Sequence, residues 1–420
     1  MGAMVLGDYV AALKEILLPY IQNNFPKKTI LLDQFKRNAG ANLINDEFIA
    51  PLYTSRHGGV AALADDNNSI ISSGGRDTTR GTVAVETITG AFDISDLAVS
   101  ASSGQLAVES ALTAQTNTLL QDFARQVNRM LYNDGIGVVS KVRTTGGSVG
   151  TGTIAVETPN ASLDDGRSID WYGTINGDIS PTKYFAVDQV IGVGTGGAAD
   201  GTITSVTGTS IVSGAPTAIV TAAEDSIYLQ DGSGEGAGTS EIVGIRSALS
   251  STTGTSTYAG IARNTTGWLP AFGSASEALT LSRMYDAYLS AQEFADNSDK
   301  YIWLVNKTPY KKYGDILTSM RRTVNELDLL GGWKGLEFAA GGAVVGVFLD
   351  YDVPDGEVLC INLDSWTICQ VKNMDWLSGG NGEPLLRLQN TITYQATMVW
   401  YVNAFCLAPA ANARETRKTD

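Results

Sequence analysis

One long helical pattern, from Ser102 to Gly135 (SSGQLAVESALTAQTNTLLQDFARQVNRMLYNDG), constrains the fold of this chain more than any other segment. Apolar residues recur along it at helical spacing and form one stripe, made of Leu106, Leu112, Leu119, Leu120, Phe123, Val127, Met130 and Leu131. Ser102 and Gln105 stand at capping-box spacing, and Asn133-Asp134-Gly135 is typical of a helix end. The pattern predicts a helix over 102–134, about eight turns compared with the usual three or four. Such a helix is typical of a structural support and not of the wall of a small pocket.

The composition allows large cores and argues against a nucleic-acid-binding surface. A chain of 420 residues is long enough for two or three domains, and 43% hydrophobic residues exclude disorder throughout. The formal net charge is −15, and no basic run is longer than a pair, whereas phosphate binding needs clustered Lys and Arg. An acidic wall would suit a container that holds DNA loosely, but it would suit any other acidic soluble protein equally well.

The cysteines and the absence of targeting patterns indicate where the chain folds. Cys360, Cys369 and Cys406 are odd in number and form no CxxC motif, so we expect buried thiols and a reducing cytoplasm. The sequence has neither a signal-peptide pattern nor an apolar run of the length that spans a bilayer. We therefore expect a soluble protein with no membrane partner.

The glycine-rich block, residues 141–270, differs in composition from the rest of the chain. It holds nearly half of the 46 glycines and few basic residues, and short β-branched runs alternate with turns. The pattern predicts an all-β unit inserted into an α+β domain. A low-complexity linker is the alternative, which the aromatic residues of the block oppose: Trp171, Tyr172, Tyr184, Phe185, Tyr228 and Trp268.

The sequence on either side of the glycine-rich block predicts an α+β fold. Amphipathic patterns predict helices over 4–22 and 280–295, and Thr308-Pro309 is typical of a third helix with proline at its first position. Strands are predicted at 301–305, 343–350, 357–362, 366–371 and 391–407, before a polar tail. Residues 48–99 predict a long β-hairpin. Because an isolated hairpin is marginal in water, this one indicates stabilisation by a neighbouring subunit.

Two short motifs that suggest chemistry lack the context which that chemistry needs. Gly192, Gly194 and Gly197 match GxGxxG, but the sequence after them predicts strand and turn instead of the helix that holds a pyrophosphate. Ser148 stands in a GxSxG pattern, yet the only histidine, His57, precedes it and no helix follows. Glycine-rich turns explain both motifs.

Metal and acid–base chemistry are equally poorly supported. One histidine leaves few ligands for metals, and the acidic pairs Asp65-Asp66 and Asp164-Asp165 are typical of solvated turns. We therefore expect no catalytic residue, no cofactor and no metal. The aromatic residues of the last third predict core packing, because they stand among Val, Ile and Leu: Trp303, Trp333, Trp366, Trp376 and Trp400.

Several passages, taken in order, resemble the HK97-type major capsid protein of tailed bacteriophages. They are FARQVNRMLYNDGIGV at the end of the long helix, the hairpin before it, GGWKGLEFAAGGAVVGVFLDYDVPDGEVLCINLDSW, and the closing TMVWYVNAFCLAPAANA. The resemblance implies an α+β, HK97-like capsid fold with an inserted all-β domain. Its parts would be an N-terminal arm (1–47), an extended loop (48–100), a spine helix with the start of the peripheral domain (101–140), the insertion (141–270), a peripheral and axial domain (271–408) and a polar C-terminal tail (409–420).

The resemblance also implies a function. The chain would assemble as pentamers and hexamers into an icosahedral head around double-stranded DNA, in the cytoplasm of a host bacterium, with a portal and possible decoration proteins as partners. The short N-terminal region predicts a separate scaffolding protein. No lysine lies between Lys36 and Lys141, so the loop lacks the residue that crosslinking relatives use. Arg76, Asp77 and Arg80 at the loop tip are candidate contacts between subunits.

Three other functions stay open at this point. A cellular compartment shell of the same fold, similar to an encapsulin, would enclose enzymes in place of DNA. A secreted β-rich adhesin or carbohydrate-binding protein would account for the glycine-rich block, although no signal sequence is present. An acidic hydrolase with two carboxylates is the third alternative, and nothing in the sequence selects a pair.

Overall fold

The computed structural model describes the chain in segments: residues 29–39, 43–53, 75, 77–95, 105–135, 137–141, 153–156, 184–193, 199–207, 210–213, 226–230, 241–250, 257–265, 268–273, 277–295, 300–319, 326–329, 333–340, 343–354, 356–378, 385–388, 391–416 and 418–419. The predicted helix over 4–22, residues 54–74 of the predicted hairpin, Arg76 and Ser148 lie outside these residues.

The described helices include the long one. They are α1 (Ile30–Gln34), α2 (Gln105–Tyr132), α3 (Ile245–Ala248), α4 (Leu281–Gln292) and α5 (Lys307–Ser319). Helix α2 confirms the long helix predicted over 102–134, and Leu120, Phe123 and Val127 of its stripe are buried. Helix α5 begins earlier than predicted. Pro309 is therefore its third residue and not its first, still within the turn where a missing N–H costs nothing.

The described strands form six sheets. They are β1 (Lys36–Ala39), β2 (Leu43–Ile44), β3 (Glu47–Tyr53), β4 (Thr78–Ala84), β5 (Glu86–Ser95), β6 (Val138–Lys141), β7 (Thr153–Ala155), β8 (Val190–Val193), β9 (Ala199–Val206), β10 (Ser210–Ser213), β11 (Ser226–Gln230), β12 (Thr257–Tyr258), β13 (Ile261–Ala262), β14 (Ala271–Gly273), β15 (Glu277–Ala278), β16 (Tyr301–Val305), β17 (Glu326–Leu329), β18 (Trp333–Ala340), β19 (Ala343–Leu349), β20 (Val358–Asn362), β21 (Trp366–Gln370), β22 (Asp375–Trp376), β23 (Leu385–Arg387), β24 (Thr393–Cys406), β25 (Ala413–Glu415) and β26 (Lys418–Thr419).

A seven-stranded sheet, in the order β14-β25-β20-β16-β19-β18-β17, separates two cores. Strand β16 is buried along its whole length, and its side chains alternate between the two faces. Tyr301, Trp303 and Val305 face one of these cores, which α4 and α5 cover and which we call the helix core. Ile302 and Leu304 face the main core, which contains the described part of the α2 stripe. Because both faces are covered, β16 is a continuous apolar run.

The main core is organised by β24, the longest strand. It pairs antiparallel with β5 from Thr393↔Ser95 to Val402↔Glu86, and with β21, β22 and β23 elsewhere. Gly90 of β5 lies directly over α2, since a Cβ atom there would stand 2.9 Å from Phe123 Cδ2. The absence of a side chain at this position lets the strand approach the helix.

The base of the predicted hairpin is present. Strands β3 and β4 pair antiparallel from Glu47↔Ala84 to Tyr53↔Thr78, and β2 joins β3 through a turn at Asn45-Asp46 with φ angles of 53° and 61°. Phe48 and Val83 of the hairpin are buried in the main core. The hairpin therefore starts from a fixed base.

Most strands of the glycine-rich block form a separate six-stranded sheet, in the order β6-β11-β8-β9-β10-β7. Five isoleucines of this sheet are fully buried in a third core: Ile154, Ile191, Ile203, Ile211 and Ile227. Apolar side chains between Ile242 and Trp268, such as Leu249 and Tyr258, instead pack in the main core. Trp268, which we expected in the core of the block, donates its Nε1–H to the Tyr258 carbonyl at 3.3 Å, and their rings lie 5.9 Å apart.

The polar tail predicted over 409–420 is wrong for the residues from 409 to 416, all of which are buried. Strand β25 lies inside the seven-stranded sheet, between β14 and β20, and Arg414 is 0% exposed. The polar composition of this segment predicted an exposed tail. The segment can be buried because the charge of Arg414 is compensated by Glu357, which lies 57 residues earlier in the chain.

We expect Gly90→Ala to lower the free energy of unfolding by about 1–3 kcal/mol, because the new methyl group overpacks against Phe123 and Leu119. Gly314→Ala in α5 is the matched control. Its Cβ would meet nothing within 4 Å, and alanine favours a helix over glycine by about 1 kcal/mol. Urea unfolding of the unassembled subunit measures both values. An unchanged value for Gly90→Ala would contradict the close packing of β5 on α2.

Candidate assembly site

The hairpin is the candidate assembly element, and Asn403 anchors its base. This side chain lies in β24 and is 0% exposed. Its Nδ2 donates to the Ala84 carbonyl at 2.8 Å, while its Oδ1 accepts from the Val243 and Ala404 amides, each at 2.8 Å. One amide group thus joins the end of β4, the C-terminal part of the glycine-rich block, and the central strand.

Backbone hydrogen bonds hold the second limb of the hairpin on its other side. The Thr82 amide donates to the Ala259 carbonyl at 3.0 Å, and the Val85 amide donates to the Asp46 carbonyl at 3.0 Å. Ala259 lies in the tight turn between β12 and β13 and has a φ of 52°. Burial raises the pKa of Glu86, the first residue of β5, to about 7. The junction between β4 and β5 is therefore packed against the rest of the chain and only partly exposed to solvent.

The candidate contact residues lie on this second limb. Asp77 directly precedes β4, and Arg80 lies within it opposite Pro51. Both side chains are exposed, as a contact with another subunit requires. Arg76 lies outside the described residues. The assignment of all three to contacts between subunits stays a prediction.

A carboxyl cluster that we did not predict joins α2 to the turn after β19. Asn128 Nδ2 donates to Asp352 Oδ2 at 2.7 Å and to Asp350 Oδ2 at 3.3 Å. Tyr132 donates its hydroxyl hydrogen to Asp350 Oδ2 at 2.9 Å, and Tyr184 donates to Asp352 Oδ1. The cluster brings together the long helix, the central sheet and the glycine-rich block.

The surroundings of Asp350 oppose its ionisation. Burial, and secondly the negative charge of Asp352, raise the pKa of Asp350 from 3.8 to about 6. Burial likewise raises the pKa of Tyr132 well above its usual value, so both tyrosines of the cluster act as hydrogen donors. At a pH between the usual pKa of 3.8 and the raised pKa of about 6, Asp350 stays protonated in the folded chain but ionises in the unfolded chain. Stability from this group is therefore lost as the pH rises through that window.

A buried ion pair fixes the next position along α2. Arg129 contacts both carboxylate oxygens of Glu241, with Nη1 3.0 Å from Oε2, and its guanidinium lies 5.8 Å from the centre of the Tyr184 ring. Gln126 accepts from Arg129 Nε at 3.0 Å and donates to the Tyr184 carbonyl at 3.1 Å. One turn of the helix therefore holds the glycine-rich block at two places, residue 184 and residue 241.

A second buried group joins three distant segments around Glu357. Arg414 Nη2 lies 2.7 Å from Glu357 Oε1, and Arg414 Nε lies 3.2 Å from Oε2. Arg246 of α3 contacts the same Oε1 at 3.3 Å. All three side chains are at most 2% exposed. The pairing explains how a charged strand, β25, can lie inside the sheet.

The described residues offer no evident chemistry of another kind. None of them form a group of three or more His, Cys, Asp or Glu that could hold a metal ion. Cys360, Cys369 and Cys406 are free and buried, and burial raises the pKa of Cys406 to about 12, so this thiol is unreactive near neutral pH. Gly192 of the GxGxxG motif lies within β8, opposite Tyr228. No described helix is long and apolar enough to cross a membrane.

No protein-family model matches the chain, and no curated protein matches it in sequence. Among solved structures, the chain is similar to the capsid asymmetric unit of cyanophage A-1(L), with a TM-score of 0.50, 12% sequence identity and 92% of each chain covered. It is also similar to the capsid of a native GTA particle, with a TM-score of 0.45, 10% identity and coverage of 92% of this chain and 90% of that chain.

The holo-SrpI encapsulin complex from Synechococcus elongatus PCC 7942 is similar as well, with a TM-score of 0.43, 8% identity and coverage of 93% of this chain and 87% of that chain. The likeness to the cyanophage capsid shows that the chain has the HK97-like capsid fold. This confirms the α+β fold that the sequence resemblance implied.

We expect Asp350→Asn to change how stability depends on pH. The amide cannot ionise, so the variant avoids the cost of a buried charge that the natural chain meets as the pH rises from about 4 to 7. Urea unfolding at a series of pH values should show the variant gaining stability relative to the natural chain across this range. Asp93→Asn, at an exposed position of β5, controls for the chemistry of the substitution. A stability difference that is constant with pH would contradict the assignment.

We expect Glu357→Gln to destabilise the subunit by about 3–5 kcal/mol, because it leaves two buried guanidinium groups without their shared carboxylate. Asp364→Asn is the control. Asp364 pairs with Lys36 at 2.6 Å in a partly exposed position, so its loss should cost less than about 1 kcal/mol. Denaturant unfolding compares the two variants, and equal losses would contradict the role of the buried group.

Proposed function

We propose that this chain is the major structural subunit of a phage capsid, assembling as pentamers and hexamers into an icosahedral shell around double-stranded DNA. The observation that carries the proposal is the HK97-like capsid fold, with 92% of this chain covered by the cyanophage capsid structure. The function is mechanical and not enzymatic. Its place is the virion, after assembly in the cytoplasm of the host bacterium.

The hairpin supports the proposal because its base is fixed while its candidate contact residues are exposed. Asn403 and the buried Phe48 hold the base in the main core. Residues 77–80 then extend the second limb toward the tip, where a neighbouring subunit would cover it. Charge contacts by Arg76, Asp77 and Arg80 would each contribute up to about 1 kcal/mol, and repetition over the shell would multiply that contribution.

The shell is held together without covalent bonds in this proposal. The sequence has no lysine between Lys36 and Lys141, so the extended loop cannot supply an amine for an isopeptide bond. Repeated burial of hairpin surface would then provide the stability. The acidic charge of the chain suits an inner wall that holds DNA without sequence-specific binding.

The capsid fold also suggests roles for the N-terminal residues and for the glycine-rich block. We propose that residues 1–47 are an arm that contacts a separate scaffolding protein or an adjacent subunit, and that a portal and decoration proteins complete the particle. The six-stranded sheet of the glycine-rich block would form an inserted domain that steadies the capsomer. Since Ile242, Ile245 and Tyr258 pack in the main core, its C-terminal boundary would lie before 241.

We expect electron microscopy of the chain, expressed alone and with its neighbouring genes, to show closed shells, rings or sheets. Particles that package DNA would support the capsid, whereas particles that enclose an enzyme encoded by a neighbouring gene would indicate the compartment shell. In a denaturing gel without reducing agent, the shells should release monomers only. A monodisperse monomer in both preparations would contradict the proposal and favour the adhesin or hydrolase alternatives, which glycan-binding and activity screens then test.

A further inference from the structure

The hairpin and the main core share one continuous stretch of chain that changes sheets at a single residue. Strand β4 pairs with β3 in the hairpin, whereas β5 pairs with β24, and only Val85 separates β4 from β5. Because Val85 belongs to neither strand, the backbone can change direction there. The angle at which the hairpin leaves the subunit therefore depends on what holds β4 near this residue.

The contacts closest to Val85 hold the position of β4 more than its direction. Gly81 lies against the end of β24, since a Cβ atom there would stand 2.8 Å from Phe405 Cζ. This apolar contact is non-directional. Asn403 donates to the Ala84 carbonyl at 2.8 Å, directly beside Val85, where a hydrogen bond has little leverage on a rotation. These contacts form a pivot for the hairpin.

A contact further from Val85 limits the direction of β4. The Thr82 amide donates to the Ala259 carbonyl at 3.0 Å. Thr82 Oγ1 also lies 3.7 Å from the place that a Cβ atom of Gly260 would take. The bonded N–H points away from β3, so the turn between β12 and β13 meets β4 at its other edge. We call residues 258–261 the stop turn.

The backbone of the stop turn has an uncommon conformation. Thr257 pairs with Ala262 and Tyr258 with Ile261, which leaves a loop of two residues. Their φ angles, 52° at residue 259 and 76° at residue 260, are both positive, as in a type I′ turn. Alanine rarely has a positive φ, and such conformations persist where the surroundings determine them and cluster at functional positions. The turn is therefore held in one shape.

Buried contacts of Tyr258 fix the stop turn to the main core. Tyr258 is 2% exposed, and its hydroxyl oxygen accepts from the Cys406 amide at 2.9 Å. Trp268 Nε1 donates to the Tyr258 carbonyl at 3.3 Å, and the Arg263 guanidinium lies 5.7 Å from the centre of the Tyr258 ring. Cys406 follows Asn403 by three residues in β24, so one strand carries both the pivot and the stop turn.

We infer that the stop turn fixes the angle at which the hairpin leaves the subunit, with Ala259 as its positioning residue. The consequence for assembly rests on the proposed capsid function, in which the hairpin reaches the next subunit. The angle then contributes to the rotation between neighbouring copies, and a repeated contact closes only if that rotation is the right one. Subunits without the stop should build shells of mixed diameter or open sheets.

Two stop variants remove this contact from opposite sides. Thr82→Pro deletes the N–H that reaches Ala259 and leaves the bonds to β3, because proline is tolerated at a strand edge. Thr78→Pro is its matched control: its N–H is on the same side of β4 and has no partner among the described residues. Ala259→Val changes only the turn, since a β-branched residue opposes a positive φ, and Ala259→Asn is the conservative control that accepts it.

Spin labels measure the angle in the unassembled subunit. Gly75→Cys labels the hairpin limb, where a Cβ atom meets nothing within 4 Å, and Asp122→Cys labels an exposed position on α2. The three native cysteines are buried, so labelling is selective. Gly75 is separated from Thr82 by up to about 23 Å of chain, so a rotation of about 10° moves the label by up to about 4 Å. We expect both controls to keep the natural distance distribution and both stop variants to shift or broaden it.

Electron microscopy of the same variants reports shell diameter, and thermal unfolding identifies the variants that fold. Either stop variant is sufficient, so one that does not fold leaves the other to decide. A natural label distance in a folded stop variant overturns the inference while the capsid function stands. A changed distance with shells of uniform natural diameter overturns its consequence for assembly. If the natural chain itself does not assemble, the proposed function fails, and the label distances still decide whether the turn fixes the hairpin.

Discussion

Polar side chains at the buried end of α2 determine how the other segments are placed. Asn128 and Arg129 are 2% and 0% exposed, and Asn133 is fully buried after the helix ends. An unpaired polar group in such a position would cost several kcal/mol, about 2–7 depending on the reference. Asn128 therefore needs the turn at residue 350, Arg129 needs Glu241, and Asn133 donates to the Val138 carbonyl at 2.8 Å. The helix is thus a support with specified attachment points.

Two further buried groups extend this arrangement through the molecule. Asn403 ties β24 to the hairpin base, and Glu357 ties the central sheet to Arg246 and Arg414. Each group joins segments that are distant in sequence. The base of the hairpin, which we assign to assembly, is therefore held by the buried core of the subunit.

Elements with a local signal could be predicted from the sequence. The apolar stripe and the Asn-Asp-Gly end predicted α2, and β-branched runs predicted β16, β19 and β24 within one or two residues. The resemblance to the capsid family was correct about the fold, although no family model matches. The buried polar groups could not be predicted, because Asp350 and Glu357 carry no local sign of their distant partners. Arg414 was assigned to a tail for the same reason.

The position of β25 near the end of the sequence affects chains whose synthesis stops early. It comes late in the chain yet lies between β14 and β20, which are made more than 50 residues earlier. Until Arg414 has been translated, Glu357 has only one of its two guanidinium partners, and two strand edges are open. A product that terminates prematurely therefore cannot close the sheet on which α4 rests. In the proposed shell, an incomplete subunit would therefore lack the finished sheet before any contact with another subunit forms.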